Sequence, residues 1–333
     1  MSVLSRTANK VKRQYLKYGL KYPRIDLNVS LTRICNAGCV MCPMHNQEDA
    51  LREHMDEKTF RKVIDIYKKL GQDYMVLHSM GECLLHPKFK EYVDILHKEK
   101  FRLRISSNGL WAGKHKETLV NVDWFRVSTE GWDNESMMKY RKQKFDKVYS
   151  GVKEFYEYSR GKIKYPFQIS LMVYPSMKDS DIQKMFSIWS EVCDSVDVWL
   201  PNNPQLSHEK KGPATEVPRE SFGDYHYMIP KEEQTCEMGQ TGAFIQPNGD
   251  VLPCCNDYAH LLTLGNIHKD NILSIVNSEM ANTLREELSS GKPEKCGKCF
   301  KFYKFEPALK NRVNELYDLI NPNQREKFQI HLN

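Results

Sequence analysis

Cys35-Asn36-Ala37-Gly38-Cys39-Val40-Met41-Cys42 comes shortly after a short apolar run, Ile25–Ser30, that reads as a β-strand. Three thiols on one glycine-containing loop, spaced three and then two residues apart, can bind three corners of a cubane 4Fe–4S cluster. The fourth iron then has no protein ligand and is open to an outside molecule. Structural zinc sites supply two pairs and close all four positions. A thiolate triplet suits the softer iron–sulfur alternative. A ligand loop directly after a strand also fits a parallel α/β sheet, in which chemistry gathers at the C-terminal strand ends.

Outward from this loop, apolar runs alternate with amphipathic stretches over the first 200 or so residues. Strands are expected at Ile25–Ser30, Tyr74–Ser79, Arg102–Ser107, Trp124–Thr129, Phe167–Tyr174 and Val196–Leu200. Helices are expected at Glu57–Leu70, Pro87–Lys98, Lys114–Val120, Phe145–Ser159 and Asp179–Val192. Strand–helix alternation at this spacing implies a parallel sheet with right-handed crossovers. Periodicity leaves open whether that sheet is an incomplete barrel or an open doubly wound sheet.

The CxxxCxxC signature resembles that of the radical S-adenosylmethionine (SAM) superfamily, and weaker motifs follow in the same order over roughly residues 24–200. The resemblance implies an α/β fold, a partial (β/α)6 barrel, in which the open iron chelates the amino and carboxylate groups of SAM. An electron from the reduced cluster then releases methionine and a 5′-deoxyadenosyl radical. Ser79-Met80-Gly81-Glu82-Cys83 stands where the family has Gly-Gly-Glu-Pro, which receives the methionyl amino group. Gly81 and Glu82 match that pattern; Met80 and Cys83 depart from it. Ser107-Asn108-Gly109 resembles the family's turn after the third strand, and Ser128-Thr129-Glu130-Gly131 its Ser-x-Asp-Gly. By the same resemblance Ser128 and Arg141 hold the methionyl carboxylate, and Met41 packs near adenine. An electron donor such as flavodoxin or ferredoxin is also implied.

Residues 201–235 are rich in Pro, Asn, Lys and Glu and read as a linker or long loop. Beyond it, Ala243–Gln246 and Val251–Cys254 flank Pro247-Asn248-Gly249-Asp250, a hairpin signal in which Asn-Gly suits a type I′ turn. An amphipathic helix over about Asn271–Leu288 precedes Cys296-Gly297-Lys298-Cys299, and Pro307–Leu319 reads as a final helix. Cys236, Cys254, Cys296 and Cys299 by themselves fit either structural zinc or an iron–sulfur cluster. Their placement resembles the twitch domain, the one-cluster relative of the SPASM extension. The architecture is similar to that of the 2-deoxy-scyllo-inosamine dehydrogenases. The resemblance implies an auxiliary 4Fe–4S cluster in a small C-terminal domain built of a β-hairpin plus a helix. The expected divisions are a basic segment (1–23), the radical SAM core (24–200), the linker (201–235), the auxiliary domain (236–305) and a C-terminal helix (306–333). Cys255 adjoins a proposed ligand. It either points away along the strand, exchanges roles with Cys254, or serves as a hydrogen donor in the active site. Cys193 reads as core, and Cys83 is left unassigned.

Composition excludes less. The chain has 333 residues and ten cysteines, with no signal-like apolar stretch at its start, so disulfide stapling is not expected and the location reads as cytoplasmic. No run approaches the ~20 apolar residues that span a bilayer. The net charge of +6 gathers at Arg6, Lys10, Lys12, Arg13, Lys17, Lys21 and Arg24, which reads as a solvated helix packed on the main domain. Nothing else points to nucleic acid. Three functions compete: oxidoreduction of a small, carbohydrate-like substrate, modification of a peptide, and a non-enzymatic iron–sulfur or zinc module. About 24 residues precede the first strand, few for the leader-binding domain of peptide maturases. A pocket for SAM is also superfluous in a simple carrier. The first reading is therefore preferred, with dehydrogenation ahead of epimerisation.

Overall fold

The computed structural model describes residues 25–42, 44, 52–174, 177–199, 228–230, 236–255, 257, 260–290, 303–305 and 314–331. The basic N-terminal segment, most of the 201–235 loop, Cys296 and Cys299 lie outside the described residues. The core is built on β1 (Asp26–Val29), β2 (Tyr74–Val76), β3 (Arg102–Ser107), β4 (Trp124–Thr129), β5 (Gln168–Met172) and β6 (Ser195–Trp199). Each pairs parallel with the next. Along β3, β4 and β5, Leu103, Ile105, Phe125, Val127, Ile169 and Leu171 are sealed from solvent, while their neighbours on the other face are not. That alternation sets an apolar outer face beneath the helices and a wetter inner face.

The helices covering the outer face are α1 (Glu57–Lys69), α2 (Phe89–Lys98), α3 (Lys116–Leu119), α4 (Asn134–Arg141), α5 (Phe145–Ser159) and α6 (Asp179–Ser190). α1 starts where the Asp56 carboxylate accepts the Thr59 N–H at 2.7 Å, and Gly71 ends the turn after it at φ +63°. Phe60, Val63, Ile64 and Tyr67 recur at helical spacing and are buried; each such side chain contributes about 1.5–3 kcal/mol. α4 was not expected. Only Ser136, Met137 and Tyr140 are buried along it, too few for a periodic signal; a capping box between Asp133 and Ser136 starts it.

β7 (Met228–Pro230), in the expected linker, pairs antiparallel with β11 (Tyr303–Phe305). β8 (Gly242–Ile245) joins the main sheet parallel to β1, and β9 (Asp250–Leu252) and β10 (Gly265–Asn266) follow antiparallel. β12 (Phe328–His331) lies parallel on β6. The order is therefore β10-β9-β8-β1-β2-β3-β4-β5-β6-β12. The six parallel strands are strictly sequential, without the reversal of a doubly wound sheet, and β1 is not paired with β6. This is a partial (β/α)6 barrel.

The hairpin is present, but its turn is not type I′. The Gly249 N–H bonds to Gln246 O at 2.9 Å, and Gly249, not Asn248, takes positive φ (+86°), as in a longer hairpin loop with glycine in the left-handed position. The helix expected over 271–288 is split into α8 (Ile272–Val276) and α9 (Glu279–Ser289), following the short α7 (Glu237–Thr241). Ser278 breaks it by capping α9 through the Ala281 N–H. In the expected C-terminal helix, residues 314–318 are helical before the chain turns into β12. No helix among the described residues is long and apolar enough to cross a membrane.

Candidate active site

The cysteine loop leaves β1 and is fastened on both sides. Before it, Leu31, Thr32 and Arg33 bond to the backbone of residues 53–55. Within it, the Gly38 and Val40 N–H groups bond to Arg141 O and Tyr140 O, the last carbonyls of α4, at 3.1 and 3.0 Å. Cys39 is buried, and Cys35 and Cys42 are partly exposed. Burial pushes the Cys35 thiol up to about 11 and Cys42 to about 12, and Cys39 also rises; at Cys35 and Cys42 a neighbouring sulfur adds to the cost of a thiolate. Three thiolates gathered in a largely buried loop need a cation, which iron supplies. No three His, Cys, Asp or Glu among the described residues converge on a single metal ion. A four-iron cluster instead takes its thiolates at separate irons.

The turns after β2 and β3 close on this loop. Glu82 N–H bonds to Ile34 O at 2.9 Å, and Gly81 N–H points at Met44 Sδ. The buried Glu82 carboxylate accepts from Asn108 N (2.7 Å), Ser107 Oγ (3.0 Å) and Leu84 N (3.1 Å). Its side chain is thus occupied in joining two strand ends, with burial raising its pKa. Asn108 Nδ2 reaches Asn36 Oδ1 at 2.7 Å and faces Cys35 Sγ at 3.8 Å. Arg141 comes to the loop from α4. Its Nε and Nη2 grip both oxygens of Glu130, and Nη1 lies 3.5 Å from Cys39 Sγ. Ser128, expected to share a ligand with Arg141, faces the barrel interior with its hydroxyl 3.2 Å from that of Ser106. Met41 is partly buried against the main core.

Two polar groups suit a bound molecule here. Ser79 Oγ and Tyr174 Oη are buried without a hydrogen-bond partner among the described residues. Tyr174 lies within electrostatic reach of Glu130, Arg141 and Cys39. A cofactor with amino, carboxylate and hydroxyl groups would satisfy such orphans. Glu130 and Tyr174 escaped the sequence reading as site residues. The Ser-x-Glu-Gly motif pointed near the first, but only the tertiary structure brings Tyr174 beside the loop.

The C-terminal part packs directly on this site. Met44 and Met80 from the barrel and Phe244 and Leu252 from the hairpin form one small apolar cluster, against which both Cys42 and Cys255 pack. Buried Arg33, beside the cysteine loop, bonds to His260, which in turn lies 3.6 Å from Asp250. Cys236 is buried with Leu284 and Leu288, and Cys254 is partly exposed. Cys193 is buried in the core and pushed up to about 12. Cys83 is buried in the same core, against Glu82.

A family model described as the radical SAM superfamily matches residues 29–187, and one described as an iron–sulfur cluster-binding domain, SPASM, matches residues 236–300. Among curated proteins, the antilisterial bacteriocin subtilosin biosynthesis protein AlbA of Bacillus subtilis (strain 168) is 22% identical over 296 residues, 80% of this chain and 63% of AlbA. The probable GTP 3',8-cyclase of Pyrococcus horikoshii is 25% identical over 178 residues, 51% of this chain and 54% of that protein. The chain thus spans less than two thirds of either relative. Solved structures with the same fold include anSMEcpe with bound AdoMet, at a TM-score of 0.62 and 14% identity over 92% of this chain and 98% of that one. SuiB of Streptococcus suis bound to precursor peptide SuiA has a TM-score of 0.60 at 15% identity, covering 91% and 79%. BtrN in complex with AdoMet and 2-DOIA has a TM-score of 0.52 at 18% identity, covering 82% and 91%. With a three-cysteine loop at the mouth of a partial barrel and a second cysteine-bearing hairpin against it, the chain belongs to the radical SAM superfamily and carries a SPASM iron–sulfur domain.

Proposed function

We propose that this enzyme dehydrogenates a hydroxyl-bearing carbon of a small polar, carbohydrate-like substrate. When bound, the first cluster and SAM supply a 5′-deoxyadenosyl radical, and the auxiliary cluster supplies an electron acceptor. Cys35, Cys39 and Cys42 would hold the first cluster, with Asn108 and Arg141 aimed at two of their sulfurs. Cys236, Cys254, Cys296 and Cys299 would hold the second. The observation that carries the reading is the apolar cluster of Met44, Met80, Phe244 and Leu252, which joins the two cysteine-bearing regions and keeps water from between them. An acceptor is needed because the substrate loses a hydrogen atom, then a proton and one electron. Net, one SAM is consumed and the product is lighter by two hydrogens.

A second reading, the same radical chemistry on a peptide, is favoured by the similarity to AlbA across 80% of the chain. The position of Cys255 on the shared apolar cluster suits a third outcome, return of a hydrogen atom and epimerisation. Anaerobic turnover with dithionite and SAM in deuterium oxide, on a panel of polyols, amino sugars and short peptides, separates them. The expected result is substrate-dependent 5′-deoxyadenosine and a product two hydrogens lighter from a polyol or amino sugar. A product at its original oxidation level that gains one carbon-bound deuterium would sink the dehydrogenase reading, and oxidation of peptides alone would favour the second.

A further inference from the structure

Closed parallel barrels fill their interiors with branched apolar side chains. This partial barrel places charge there. The inward positions of β3 and β4 include Arg104, Ser106, Arg126 and Ser128, and all four keep some solvent access while their outward neighbours have almost none. Space therefore remains on the inner face. His78, just after β2, accepts the Ser106 N–H at 3.1 Å and is neutral: burial first, then Arg126 and Arg104, hold its pKa down to about 3.

The positive charge is not matched. Arg126 Nη1 stands 3.9 Å from Asp197 Oδ2, beyond hydrogen-bond distance, and its buried Nε has no partner among the described residues. Asp197 also faces His331 at 3.5 Å. Arg104 makes no ion pair or side-chain hydrogen bond among the described residues. It lies close enough to Arg126 to disfavour that residue's charge, after burial itself. Of these two guanidiniums on neighbouring strands, only that of Arg126 has a carboxylate within 4 Å among the described residues. Unpaired buried charge is costly, and a planar fork of donors matches an oxyanion. Ser106 and Ser128 follow the arginines by two residues, toward the strand ends from which the cysteine loop emerges.

We infer that Arg104 and Arg126 receive an oxyanionic group, a carboxylate or a phosphate, carried by the substrate inside the barrel. That the anion's owner is the substrate rests on the function proposed above; the site itself does not. The test uses the full-length, anaerobically reconstituted protein with SAM bound. Its thermal midpoint is followed against inorganic phosphate in one arm and acetate in the other, with chloride holding ionic strength constant. Saturable stabilisation by at least one anion is expected, and the tighter of the two identifies phosphate or carboxylate. Arg104→Gln, which removes no ion pair or side-chain hydrogen bond among the described residues, and Arg126→Gln should each weaken it by about tenfold or more. Arg126→Lys, with the charge but not the fork, should fall between. No saturable effect in the parent protein, or equal effects in parent and variants, overturns the inference. Turnover of the polyol and amino-sugar panel with dithionite as reductant, measured in separate aliquots of the same preparations, reads the proposed function separately, so the two claims can fail independently.

Discussion

Gly81 occupies a backbone conformation, φ +78°, that side-chain-bearing residues rarely adopt, and a Cβ there would meet Thr32 O at 2.2 Å. That close approach is how the turn after β2 lies against the cysteine loop, and it explains why the departures at Met80 and Cys83 are tolerated. The Met80 side chain joins the apolar cluster, and Cys83 begins a buried helical turn. Arg141 makes a related point: its guanidinium is held by Glu130 and also reaches Cys39. His78 yields a pH prediction. Its folded pKa of about 3 lies below the ordinary histidine value, so between these limits the unfolded chain binds the proton and the folded protein does not. Stability contributed by neutral His78 is therefore present above about pH 6.5 and is lost as pH falls toward 3, on the order of 5 kcal/mol. Denaturant unfolding of His78→Gln at pH 7 and pH 4.5 should show a shallower loss than the parent; an identical slope would mean that this imidazole is readily protonated in the fold.

At the scale of elements, β12 binds the end of the described chain to the barrel. Phe328 is buried and its ring lies 5.1 Å from that of Phe186 on α6, while Lys327 Nζ donates to Ser190 O and Cys193 O at 2.9 and 3.1 Å. Phe328→Ala should cost about 3 kcal/mol and speed amide exchange in Ser195–Trp199 more than in β3. Uniform exchange across both strands would show that β12 does not protect this edge. The boundaries of β3, β4 and α5 are legible residue for residue, because period-two and helical patterns persist over whole elements. β12 is not legible: four residues carry little pattern, and its meaning lies in a partner far back in the chain. α4 is hidden for the reason that it buries few side chains. The cysteine loop is legible from spacing alone, whereas the Glu130–Arg141 grip and the lumenal arginines depend on which strand ends and faces meet.

Taken as a whole, the molecule places two cysteine-bearing regions on one continuous sheet, and radical SAM and SPASM domains together imply two 4Fe–4S clusters. Anaerobic reconstitution should give about eight irons per chain. Replacing Cys35, Cys39 and Cys42 together by Ala should leave about half of the iron and abolish 5′-deoxyadenosine formation. Stoichiometric zinc in place of the remaining iron would remove the auxiliary cluster from the scheme. The same continuity bears on biosynthesis. β1 gains its outer neighbour only once Gly242–Ile245 have been made, and β6 only once Phe328–His331 have. A nascent chain halted after Trp199 already contains all six barrel strands, yet both margins of its sheet are bare. Bare margins recruit other chains. Yield from the ribosome is then governed by how quickly translation delivers the two late strands, and by whatever chaperone shields the margins meanwhile.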